Sequence, residues 1–79
     1  MHWIDTFADE KGYDLEELLE VEGPTGTTNI IPLGVVIDAI KTTSKAEQDA
    51  IRYNIARLDF ADPAAPKKYL QHLAQALAL

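Results

Sequence analysis

The sequence predicts an all-α fold: a single domain built as a compact bundle of four to five short helices. Three observations point there. Apolar residues recur at spacings of three and four through most of the 79 positions. Proline, serine and aspartate fall where helices would start. Runs that alternate strictly between apolar and polar are scarce. The length suits one domain. A chain of this size buries only roughly 60–65% of its unfolded surface, and it has no cysteine to staple it. Small unstapled domains of this kind gain stability by assembling or by docking on a partner.

The elements follow in order. Trp3, Ile4, Phe7 and Ala8 lie at i, i+1, i+4 and i+5, one face of a helix. Gly12 either ends that helix or sits within a longer one. Asp14 followed by Glu17 reads as a variant capping box. Leu15, Leu18, Leu19 and Glu22 continue the helical spacing in phase with Phe7. An acidic helical segment is therefore expected over residues 2–21, whole or split, with leucines inward and acids on the flanks. Residues 22–31, EGPTGTTNII, break any period and read as a loop. Pro32 opens a helix over about 32–42, with Leu33, Val36, Ile37 and Ile40 as its apolar stripe. A short strand through Asn29–Ile31 or Val35–Ile37 is the competing reading, because β-branched residues crowd a helix. Ser44 with Glu47 forms a capping box for a helix over about 45–60, seamed by Ala50, Ile51, Ile55 and Leu58. Asp62 before Pro63 starts a last helix over about 63–78. The expected core comprises Trp3, Phe7, Leu18, Leu19, Leu33, Val36, Ile37, Ile40, Ile51, Ile55, Leu58, Leu70, Leu73 and Leu77.

Charge is the most uneven property of the chain. Residues 1–22 carry eight acids (Asp5, Asp9, Glu10, Asp14, Glu16, Glu17, Glu20 and Glu22) against Lys11 alone, a net of −7. The remaining residues carry five acids and six bases, which leaves the whole chain at −6. An excess of this kind bears on partners and solubility rather than on fold. Direct nucleic-acid binding is disfavoured, since it needs surplus lysine and arginine. The most apolar run, Ile30 to Ile40, is about half a membrane span and contains Asp38, and no signal peptide is visible, so a cytoplasmic protein without a membrane role is expected.

Catalytic and ligand-binding patterns are sparse. The one serine, Ser44, stands where a helix cap belongs. His2 is terminal and expected to be mobile, and His72 falls between apolar positions of the last helix. Two histidines about seventy residues apart, with no cysteine, give no zinc pattern. Counted from Asp9, an EF-hand register would place Lys11 and Tyr13 on ligand positions. Gly23-Pro24-Thr25-Gly26 lacks the spacing and lysine of a phosphate loop. No catalytic residue, metal ligand or cofactor is expected, and the chain reads as non-enzymatic. The helices over 32–42 and 45–60 could make a helix-turn-helix, but Glu47 and Asp49 in the first turn of the second would repel phosphate.

The eight N-terminal acids are the candidate partner-binding residues. Asp5 with Asp9, and Glu16 with Glu20, would stack one turn apart on a helix, and like charges at that spacing oppose an isolated helix. A row of carboxylates so spaced could stand in for a phosphate backbone and occlude a basic, nucleic-acid-binding surface of a partner protein. In physique alone (small, acidic, helical, without a catalytic group) the chain is similar to many inhibitors encoded by bacteriophages, including anti-CRISPR proteins. The alternative is a structural or adaptor subunit that self-associates through Tyr53, Phe60 and Tyr69. A DNA-binding regulator using Lys41, Lys45, Arg52, Arg57, Lys67 and Lys68 is a third reading.

Overall fold

A computed structural model describes all residues, 1–79. The element order is α1 (Trp3–Glu10), β1 (Leu18–Glu22), β2 (Thr28–Pro32), α2 (Leu33–Lys41), α3 (Lys45–Ala61) and α4 (Ala65–Ala76). The fold is therefore not all-α. Four helices accompany a two-stranded antiparallel sheet, and the acidic segment 2–21 is not one helix.

The break comes at Gly12, which adopts φ +67°, in the left-handed region where a side chain is strained. Helix α1 ends two residues earlier. Its N-terminus is capped by the His2 side chain, whose Nδ1 accepts from the Ile4 N–H. The Asp14–Glu17 pair does not start a second helix. The Asp14 carboxylate accepts from the Glu16 N–H at 3.0 Å, and the Glu17 N–H donates to the Asp14 carbonyl, forming a turn.

Strand β1 then alternates: Leu19 and Val21 are buried, while Leu18, Glu20 and Glu22 are exposed. The expected loop 22–31 shrinks to Gly23–Thr27. Gly26 N–H donates to the Gly23 carbonyl across Pro24-Thr25, and Gly26 has φ +80°. Because Thr25 is not in the left-handed region, this is a type I turn followed by a left-handed glycine, a frequent hairpin closure. Of the two competing strand readings, Asn29–Ile31 lies inside β2, whereas Val35–Ile37 is helical.

Helix α2 has Pro32 as its N-cap and no side-chain cap. Two of its first N–H groups are satisfied instead by main chain: Leu33 donates to the Glu17 carbonyl and Gly34 to the Leu15 carbonyl, each at 2.8 Å. Gly34 permits that approach, since a Cβ there would lie 3.2 Å from the Leu15 oxygen. At the other end Thr42 and Thr43 hydroxyls donate to the Ala39 and Ile40 carbonyls. Helix α3 is capped by Ser44, whose Oγ accepts from the Glu47 N–H. Helix α4 begins two residues later than expected. Asp62 makes a turn with Ala64 and Ala65, and Pro66, not Pro63, occupies the first helical turn.

The core gathers on α2: Leu33, Val36, Ile37 and Ile40 are all at most 1% exposed. Ile4 and Ala8 from α1, Leu19 and Val21 from β1, Ile51 and Ile55 from α3, and Leu70 and Ala74 from α4 close around it. Each large apolar side chain buried this way contributes about 1.5–3 kcal/mol. Five residues expected inside, Trp3, Phe7, Leu58, Leu73 and Leu77, are only half-buried, and Leu18 points to solvent.

Candidate functional site

The eight N-terminal acids are spread over three elements. Asp5, Asp9 and Glu10 lie on α1, Asp14, Glu16 and Glu17 in the connecting turn, and Glu20 and Glu22 on β1. Asp5 and Asp9 remain one helical turn apart. Glu16 and Glu20 do not, because no helix joins them. The regular ladder that would imitate a phosphate backbone is absent from this fold. Glu10 also stands apart, lining a groove between α1 and α3 with Trp3, Phe7, Arg52 and Phe60.

Ion pairing takes only two of the eight. Lys41 Nζ sits 2.8 Å from Asp5 and Lys67 Nζ 3.0 Å from Glu17. Lys11, the one base within the acidic segment, is drawn away to Asp59 at 2.6 Å. Lys45 pairs with Asp49 on its own helix. Four of the five lysines are thus engaged. Asp9, Glu10, Asp14, Glu16, Glu20 and Glu22 are all exposed, with no base within 4.0 Å. The hydrogen bonds to Asp59 and Asp5 hold the Lys11 and Lys41 ammonium groups above their ordinary pKa.

The hairpin combines this leftover charge with apolar surface and open backbone. The register pairs Leu18 with Pro32, Glu20 with Ile30 and Glu22 with Thr28 on the outer face. Leu18 is 63% and Ile30 54% exposed, and they are diagonal neighbours on that face. Leu15, in the turn before β1, and Val35, in the first turn of α2, are also exposed. The inner face carries Leu19, Val21 and Ile31 against the core.

The ladder also fixes which backbone groups are free. Hydrogen bonds join Gly23 to Thr27 and Leu33 to Glu17, the two ends of the hairpin. Bonded pairs alternate in an antiparallel ladder, so Leu19 bonds Ile31 and Val21 bonds Asn29. Leu18, Glu20 and Glu22 on β1, and Thr28 and Ile30 on β2, turn their main-chain groups outward. On the β1 side the Glu20 carbonyl accepts from the Gln71 side chain of α4 at 2.6 Å. On the β2 side no protein group meets Thr28 or Ile30.

The other sequence candidates have structural employment. His2 is not loose: besides capping α1, its Nε2 lies 2.8 Å from the Gln48 side-chain oxygen. Gln48 in turn donates to the Lys41 and Thr43 carbonyls, locking the α2–α3 turn. Ser44 is a cap, and His72 is exposed on α4 beside the hairpin. No group of three or more His, Cys, Asp or Glu side chains converges as a metal site would require. No helix is long and apolar enough to cross a membrane. Of the aromatic edge, Tyr53 and Phe60 are exposed, whereas Tyr69 is half-buried and its hydroxyl accepts from Asn54.

What sequence reasoning missed is the open edge of β2 and the apolar pair Leu18–Ile30. The signal was present in the alternation from Leu19 to Glu22 and in the uncharged run Thr28-Asn29-Ile30-Ile31. No protein-family model matches the chain, and no curated protein or solved structure matches it.

Proposed function

We propose that this chain is a non-enzymatic protein-binding module whose hairpin and preceding turn dock on a basic surface of a partner protein. The observation that carries the reading is the distribution of unpaired charge. Nearly all lysines are consumed by internal pairs, yet six exposed carboxylates between residues 9 and 22 keep no base. Their field steers a cationic surface toward the chain and makes association fast and salt-sensitive. Leu18 and Ile30, exposed among the acids, supply the apolar contact that a purely electrostatic encounter lacks.

The action expected of such a module is occlusion. A basic surface covered by these carboxylates no longer meets a polyanion. The molecular basis is a mixed acidic and apolar face rather than a regular imitation of phosphates, because Glu16 and Glu20 do not share a helix.

The test compares wild type with the triple reversal Glu16→Lys, Glu20→Lys, Glu22→Lys in affinity capture. All three side chains are exposed and without ion partners, so the variant keeps its fold, checked by circular dichroism. Basic proteins retained by wild type should be lost by the variant, and lost from wild type as salt rises. A basic partner that binds the reversal equally well refutes the proposal.

A further inference from the structure

The outward edge of β2 is a strand half-finished. Thr28 and Ile30 direct both N–H and C=O groups away from β1, and nothing in the protein receives them. An exposed edge of this kind is a template for another strand, and proteins that do not use one usually block it with a charge, a mid-strand proline or a bulge. β2 carries none of these: its sequence is TNIIP, with proline only at the last position, and its pairing with β1 runs without interruption. The opposite edge is handled differently, since Gln71 of α4 takes the Glu20 carbonyl. The β1 edge keeps further unbonded groups on Leu18 and Glu22, but α4 packs beside it and Glu20 and Glu22 charge it; the β2 edge, which bears Ile30, has neither guard.

We infer that β2 accepts an extended, basic segment of the partner as a third antiparallel or parallel strand, with the Thr28 and Ile30 main-chain groups making the new ladder. This inference rests on the acidic docking reading above and specifies how that docking is made. Charge decides the occupant. Glu20 and Glu22 lie on the same outer face, one strand spacing behind Ile30 and Thr28. Strands are separated by about 4.8 Å, so a lysine or arginine on an added strand reaches across β2 to those carboxylates. Between the charged positions, an aliphatic residue beside Ile30 extends the Leu18–Ile30 patch.

A second copy fits this edge poorly. A symmetric pairing centred on Ile30 would set Pro32 opposite Thr28 of the other copy, and proline has no N–H to give. It would also bring together two chains that each carry a charge of −6.

The experiment uses the intact protein and a short synthetic peptide, Lys-Thr-Val-Thr-Lys, whose two lysines and central valine share one face of the added strand. A control peptide of the same sequence is N-methylated on every residue, so that it keeps its charge while methyl groups obstruct both of its edges. Amide hydrogen exchange is followed by NMR at saturating peptide. Expected is a slowing of at least ~10-fold at Thr28 and Ile30 with the plain peptide and none with the methylated one. If both peptides bind with neither protecting Ile30, strand addition is overturned while acidic docking stands. If neither peptide binds although the charge-reversal test has identified a basic partner, strand addition is likewise overturned. Protection of Ile30 that grows with protein concentration and needs no peptide would assign the edge to a second copy and overturn the basic-segment proposal.

Discussion

Replacing Tyr13 by phenylalanine should stabilise this protein. The Tyr13 ring meets Phe7 edge-on, with centroids 5.9 Å apart, and the Lys67 ammonium lies 5.1 Å from its centroid. Its hydroxyl is buried and has no hydrogen-bonding partner in the protein. Burial accordingly pushes the phenol above its ordinary pKa, outweighing the opposing pull of Lys11 and Lys67. A buried unsatisfied hydroxyl costs about 1–3 kcal/mol. Phenylalanine keeps the ring, the edge contact and the cation above it, and removes only that cost. The void left by one oxygen returns part of the gain, so the expected net is about +1 kcal/mol. For a domain of this size that raises Tm by about 4–8 °C. Urea unfolding followed by circular dichroism measures it, with an unchanged slope showing that the unfolded state is the same. A Tyr13→Phe variant less stable by about 1 kcal/mol would mean that the hydroxyl is well bonded, and the reasoning fails.

Three further outcomes are expected. Lys11 and Lys41 are raised above 10.5 by their hydrogen bonds to Asp59 and Asp5, and Tyr13 is raised above 10.0 by burial, so all three hold protons more tightly in the folded state. Their contribution is complete below about pH 10 and is lost as pH climbs through the raised values; a denaturation midpoint that increases above pH 10 would contradict this. Gly12→Ala should destabilise by about 1 kcal/mol, because φ +67° is strained for any β-carbon even though nothing lies within 4 Å of one there; an unchanged urea midpoint would show that the turn relaxes at no cost. Phe60→Asp, at a side chain 96% exposed, should leave stability within about 0.5 kcal/mol of wild type, and a larger loss in the same assay would place Phe60 in a packed environment.

The starts of α2 and α3 were legible because each is marked locally, by Pro32 and by Ser44 with Glu47, whereas the start of α4 was read from Asp62 and Pro63 although Pro66 holds its first turn. Their apolar stripes are also long enough to fix a period, and Leu33, Val36, Ile37 and Ile40 all lie inside. The N-terminal third misled for a physical reason. Leu15, Leu18 and Leu19 repeat at helical spacing, yet only Leu19 is buried. In five-residue strands the alternation is too short to outweigh that coincidence, and Leu18, apolar but outward, breaks it further. Gly12 was the decisive mark, since its left-handed backbone ends the helical run. The site shared this fate. The acids themselves were plain in the sequence, but which of them keep their charge unopposed depends on where Lys11, Lys41 and Lys67 fall, and those partners come from 36 to 50 residues away. The free edge of β2 could not be foreseen without first placing the strand.

The main-chain bonds from Leu33 to Glu17 and from Gly34 to Leu15 have a consequence for recognition. They bolt the foot of the hairpin to the most deeply set helix, so the ribbon cannot swing away without leaving that helix's first N–H groups without acceptors. An incoming chain therefore meets a rail already fixed in place, and almost all the loss of freedom on docking falls on the visitor rather than the host.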